Sequence, residues 1–211
     1  MTEPLDGVLA IHNAFRRDMS GIDSAALKAA RGESGLAPAI ERFRFFNEIL
    51  DWHAHGEELA IFPALEAVVP SVSEAYVRDH RGLDAAFNGL NAAVSAQDPL
   101  ETARASAAFK FHLDIHLAKE DAHLYRLVRE HMSPPDQGKA VGLMSSTVPP
   151  ERFPEVVAWL FPLIGDTDRE NMTRIWQMLL PPPVFAHMKQ LIHQAIGDDW
   201  SELARRIPGL E

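Results

Sequence analysis

The feature that most constrains this chain is a pattern that occurs twice. His12 is followed three, seven and ten residues on by Phe15, Met19 and Ile22; His80 is followed at the same steps by Leu83, Phe87 and Leu90. His53 and His116 are each followed four residues on by Glu57 and Glu120, then by Ile61 and Phe62 in one copy and Leu124 and Tyr125 in the other. Phe46 and Phe109 precede the two histidines by seven residues. Spacings of three, four and seven place side chains on one face of an α-helix. The chain therefore reads as two copies of a helical hairpin, each carrying a His and then a His-x-x-x-Glu.

Residues four apart on a helix lie one turn apart on the same face. A His and a Glu so placed can grip one metal, or the Glu can bridge to a second. An isolated carboxylate on an apolar face is costly to bury. The expected metal ligands are therefore His12, His53, Glu57, His80, His116 and Glu120. A histidine without such company is more often an ordinary core or surface residue, which is the reading for His55, His123, His131, His187 and His193. His112 differs: its counterpart is Ile49, and it precedes His116 and Glu120 at four-residue steps. It is expected as a fifth histidine ligand, making one metal position fuller than the other, with a core or rim histidine as the plainer alternative.

No segment alternates as a strand does, so the fold class is all-α: an antiparallel up-down four-helix bundle with short C-terminal helices. The bundle helices are expected at about 5–30, 38–69, 71–96 and 98–131. Ser71 with Glu74 and Asp98 with Glu101 read as capping boxes, with Pro99 at the first helical position. Pro63 is expected to bend the second helix. His80 lies 17 residues before Gln97 and His116 18 after Asp98, so the two side chains meet at one height. The turn near Pro70 fits less well, and a bend at Pro63 would absorb the difference. Residues 1–132 are assigned to the bundle and 133–211 to an extension of four or five short helices, with Thr167 and Glu170 as a further capping box.

Composition excludes several alternatives. There is no cysteine, hence no disulfide, iron–sulfur cluster or thiolate zinc site. A net charge of −10 argues against nucleic acid. No apolar run is long enough to cross a bilayer and no signal peptide is legible, so a cytoplasmic protein without a membrane partner is expected.

The duplicated motif resembles the hemerythrin family of cation-binding domains. H-A-H-G-E-E-L-A-I-F-P-A-L at 53–65 and H-L-A-K-E-D-A-H-L-Y at 116–125 are similar to that family's second- and fourth-helix signatures. The resemblance covers about residues 5–131. It implies two iron ions with an oxo or hydroxo bridge, His12, His53, His80 and His116 as terminal ligands, and Glu57 and Glu120 as bridges. Oxygen-carrying members place two histidines one turn apart on the third helix, where this chain has Tyr76 and Asp84 around His80. They also use His-x-x-x-x-Asp on the fourth helix, which Asp121 could satisfy, although the repeat favours Glu120. The pattern is closer to the wider bacterial set and to the animal and plant iron-sensing ubiquitin ligase domains. The segment F-P-E-V-V-A-W-L-F-P-L-I at 153–164 is similar to segments that follow such domains, and is expected to be a stabilising cap whose protein partner, if any, the sequence does not name.

Imidazole and carboxylate ligands without sulfur suit iron, and suit manganese or zinc as well. Three functions follow: a diiron protein that binds or reacts with dioxygen, peroxide or nitric oxide; an iron store or sensor without turnover; or a structural bundle whose extension docks a partner.

Overall fold

The structure is a computed structural model in which residues 2–210 are described. Among these residues every regular element is helical. Helix α1 spans Pro4–Ala30, and Gly32, at a φ of 73°, turns the chain back. Helix α2 (Ala37–Gly56) runs through a π turn (Glu57–Ile61) into α3 (Phe62–Glu66). Helix α4 spans Ser73–Ser95. Helix α5 (Pro99–Lys119) runs through a second π turn (Glu120–Leu124) into α6 (Tyr125–His131). These form the four long arms of the bundle. Helix α1 packs along α2 and α5, and α4 along α5, while α2 and α4 stand further apart.

The two π turns begin at the two glutamates of the repeat. In each, the N–H five residues on bonds to the glutamate carbonyl: Phe62 to Glu57, Tyr125 to Glu120. The wider turn stacks Phe62 and Tyr125 beyond the glutamates, which explains why the repeat continues at a nine-residue step from each histidine. π turns of this kind occur often at functional sites. They also correct the expectation of a proline bend. Arg126 occupies the place of Pro63 in the second copy, yet the turn is the same, so proline is not its cause. Pro63 lies in the first turn of α3, where its missing N–H is tolerated.

Asp98 caps α5 as expected, accepting from the N–H groups of Leu100 and Glu101 at 3.0 and 3.1 Å. The cap expected at Ser71 is not formed. Ser71 takes a φ of 70°, and α4 starts two residues later. Glu66, at the end of α3, accepts from the N–H groups of Ser71 and Ser73 instead. The Thr167 box is likewise absent, because α9 already begins at Asp166, with Gly165 before it.

The extension comprises α7 (Pro134–Ser145), α8 (Phe153–Leu163), α9 (Asp166–Leu179), α10 (Pro182–Ile196) and α11 (Trp200–Arg206). Its apolar core, including Val157, Leu160, Phe161 and Ile192, is continuous with Ala10 and Ala14 of α1. Helix α7 lies on the first π turn. A Cβ on Gly56 would meet Met144 Cγ at 2.7 Å and the Met144 carbonyl at 2.9 Å. Gly56→Ala is therefore expected to push α7 off the bundle and destabilise the protein by about 1–3 kcal/mol, read as a lower denaturation midpoint. Lys119→Ala, at the equivalent place in the second copy, should stay within about 0.5 kcal/mol.

Among the described residues no helix is long and apolar enough to cross a membrane. Two apolar layers of the bundle enclose a polar one. On the side of the turns near Gly32 and Gln97 lie Phe15, Phe43, Phe46, Phe109 and Leu113; on the side of the N-terminus lie Leu5, Ile61, Leu65, Leu124 and Val128.

Candidate metal centre

Between these layers six side chains converge. His12, His53, Glu57 and Glu120 form one group and Glu57, His80, His116 and Glu120 a second. In each group the candidate ligand atoms all lie within 4.8 Å of one another. Glu57 and Glu120 belong to both. All six residues are at most 6% exposed. His53 Nε2 lies 3.4 Å from Glu57, and His116 Nε2 lies 3.3 Å from Glu120, each across one helical turn. His80 Nε2 lies 3.3 Å from Glu57 and 3.7 Å from Glu120; His12 Nε2 lies 3.7 Å from Glu120 and 3.0 Å from His53 Nε2. Glu57 Oε2, both Glu120 carboxylate oxygens and His80 Nε2 are buried without a hydrogen-bond partner. Buried polar atoms are rarely left so. Two imidazoles and two shared carboxylates around each of two points form a donor set that fits a pair of hard or borderline divalent cations.

The sequence reading missed how the histidines are oriented. His12 Nδ1 lies 2.7 Å from Asp121, whose other oxygen accepts from Arg16 at 2.5 Å. His80 Nδ1 lies 2.9 Å from Glu58. A carboxylate here is an acceptor, so Nδ1 carries the proton. With Nδ1 so held, Nε2 faces the cluster, and once it is without a proton it presents a lone pair there, the arrangement that steers metal-binding histidines; for His80, a cation in the metal-free protein, a metal would take the place of the Nε2 proton. Asp121 thus holds His12 from outside rather than joining the cluster. The signal was in the sequence: each His-x-x-x-Glu is followed at once by a second acid, Glu58 or Asp121, and each acid serves the histidine of the other hairpin. A further side chain is Tyr125, whose hydroxyl donates to Glu57 and whose ring lies 5.5 Å from that of His12. Its counterpart Phe62 lies 5.3 Å from the His80 ring and brings no hydroxyl, so the two halves differ chemically at this place.

The electrostatics follow from crowding. Burial works against the charge of Glu57, but the imidazoles of His53 and His80, 3.4 and 3.3 Å away, outweigh it and hold this carboxyl well below its usual range. Burial, then the Glu57 charge, pushes Glu120 well above it. Burial opposes a charge on His80, yet the nearby carboxylates of Glu120 and Glu57 and its bond to Glu58 raise it to about 11. Burial and the His80 cation lower His116 to about 3. Burial and both glutamates push the Tyr125 phenol up, so it stays a donor.

The chain has relatives in plants. It is 26% identical over 180 residues to the zinc finger protein BRUTUS of Arabidopsis thaliana, covering 82% of this chain and 14% of that protein. Two BRUTUS-like zinc finger proteins of the same plant are 22% and 20% identical over 180 and 210 residues, covering 81% and 87% of this chain and 14% and 17% of theirs. The chain thus spans about a seventh of the length of the first two. No protein-family profile matches it, and no solved structure does. Residues 1–132 are about 63% of the chain, so a match over 82% takes in part of the extension as well as the bundle.

The remaining histidines lie outside the cluster. His55, His123, His131, His187 and His193 are exposed; His123 Nδ1 lies 2.8 Å from the Tyr76 hydroxyl, and His193 stacks on Trp200. Among the described residues, none of the extension enters either group. His112 is the correction. It too is exposed, with its ring against Phe111, and it belongs to neither group. Each four-residue step on a helix advances by about 40°, so two steps turn His112 roughly 80° away from Glu120. His112→Ala is accordingly expected to leave both metal content and the visible spectrum unchanged. Loss of metal from this variant would return His112 to the ligand set.

Proposed function

We propose that this chain is a hemerythrin-like protein that holds two iron ions between α1, α2, α4 and α5 and there binds or reacts with dioxygen, peroxide or nitric oxide. The observation that carries this reading is the sharing of Glu57 and Glu120 by two four-residue groups, since one ion needs no such doubling. His12 and His53 would hold one ion, His80 and His116 the other, and the glutamates would bridge them. Iron so held supplies one-electron chemistry and open coordination positions. The protein residues supply the rest. Asp121 and Glu58 fix the histidine tautomers. Tyr125 steadies Glu57, while Glu120 has no such brace. Phe15, Phe46, Phe62 and Phe109 limit water. The first relative's name speaks of a zinc finger, a property not carried over here: this chain has no cysteine, the usual ligand of structural zinc. A cytoplasmic setting, where iron is kept reduced before loading, suits the proposal.

A second reading, an iron store or sensor without turnover, is favoured by the orphaned buried atoms. A cluster this costly to bury without a cation makes folding depend on the metal. Elemental analysis with an optical spectrum of aerobically purified protein tests the shared basis of both. About two irons per chain with near-ultraviolet absorption are expected. One metal per chain, or none, would overturn the diiron reading. Peroxide consumption above that of free iron favours the reactive protein; its absence favours the sensor.

A further inference from the structure

The duplication supplies a control for each feature around the cluster, because every residue there has a counterpart in the other half. The seam between α2 and α4 corresponds to the seam between α5 and α1, and the two differ in two ways.

The first difference is space. The α2–α4 seam contains a cleft of about 100 Å³ that reaches His53, Glu57, His80 and His116. Ala54 and Leu83 on its walls are half-buried. Phe15, the counterpart of Leu83, is larger and fully buried, and Trp159 of the extension lies over it with ring centroids 5.5 Å apart; Leu117, the counterpart of Ala54, is buried too and forms part of the floor of the open cleft. One seam is open and the other is filled.

The second difference is charge. Asp51 and Asp84 line the open cleft, are exposed, and have no ion pair among the described residues. The counterpart of Asp51 is Asp114, which is paired with Lys110 at 2.5 Å. The counterpart of Asp84 is Arg16, which is bound to Asp121. At the floor of the open cleft lie His53 and His116, both 94% buried with Nδ1 atoms that have no partner, and His80, braced on Glu58.

We propose that the α2–α4 seam is the passage by which a divalent metal cation enters the site, and that Asp51 and Asp84 take the cation up first and pass it to the histidines at the cleft floor. A narrow cleft lined by charges of one sign within low-dielectric walls concentrates the opposite ion and speeds its arrival. The inference rests on the metal-binding reading above.

The test uses the full chain, stripped of metal, mixed anaerobically with ferrous iron and quenched with chelator at timed intervals. Replacing both carboxylates, Asp51→Asn with Asp84→Asn, should slow loading by about tenfold at low ionic strength and abolish its dependence on salt. The final iron content should match the wild type. A second variant, Ala54→Leu with Leu83→Phe, copies the filled seam while keeping the charges, and should load slowly too. Asp114→Asn, at the sealed seam, should load at the wild-type rate. Wild-type rate and salt dependence in the double Asn variant would overturn the proposal, as would a lower final iron content, which would make these residues ligands rather than an entrance. Failure of the wild type to take up iron would instead sink the metal-site reading itself.

Discussion

Glu57→Ala and Glu120→Ala should each remove most of the bound metal, because each glutamate belongs to both four-residue groups and its loss takes a ligand from both positions at once. Stability should follow. A ligand present at about a thousandfold excess over its Kd stabilises the folded state by about 4 kcal/mol. In a chain of this size 1 kcal/mol moves Tm by roughly 2–4 °C, so a metal-dependent rise of about 10 °C should vanish in both variants. Measured without metal, the two should part. Glu57 accepts from Tyr125 and lies 3.3 Å from His80, so its removal leaves buried donors unpaired and lowers Tm further. Glu120 is raised by burial and by the Glu57 charge, so its ionised form is unfavourable in the folded protein. Removing it should therefore lower the metal-free Tm less than removing Glu57. Elemental analysis and calorimetry with and without iron check both points. Wild-type metal content in both variants would remove the basis for the site.

The bundle and the six converging residues were legible because a repeat encodes them twice. A spacing seen once is ambiguous between core and ligand; seen again with the same apolar neighbours at the same steps, it fixes a face. Asp98 was legible for a local reason, since a cap needs only the next two or three N–H groups. What failed depended on geometry that spacing does not carry. The His112 reading treated successive four-residue steps as collinear, although each drifts around the helix. The Ser71 box was displaced by a carboxylate from the preceding helix, Glu66, which reaches the same N–H groups first. The π turns left no mark in composition, and the proline near one of them pointed to the wrong cause. Glu58, Asp121 and Tyr125 were present in the aligned motifs, but their roles cross from one hairpin to the other, and a linear comparison of the copies does not show which partner each one meets.

The extension should prove to be part of the bundle's stability, and Trp159 is the residue that tests this. Its ring packs on Phe15, whose own ring lies 5.2 Å from His53, so one contact separates the extension from the cluster. Its indole N–H donates to Asp18 at 2.7 Å. Asp18 is 2% exposed and is also paired with Arg42. Trp159→Ala removes a large half-buried ring and takes a donor from a buried carboxylate. Truncations of this kind cost about 3–5 kcal/mol in full cores, and the half-buried position argues for the lower end, about 3 kcal/mol. The expected fall in Tm is then roughly 6–12 °C. Trp159→Phe keeps most of the packing but not the bond to Asp18, so its loss should be nearer 1.5 kcal/mol, the usual worth of a hydrogen bond to a charged group. Neither variant touches a ligand, so iron content should match the wild type in whatever fraction remains folded. A Tm within about 2 °C of wild type for Trp159→Ala would mean that α8 is an appendage, and that Phe15 and the sealed α5–α1 seam are held shut by the bundle alone.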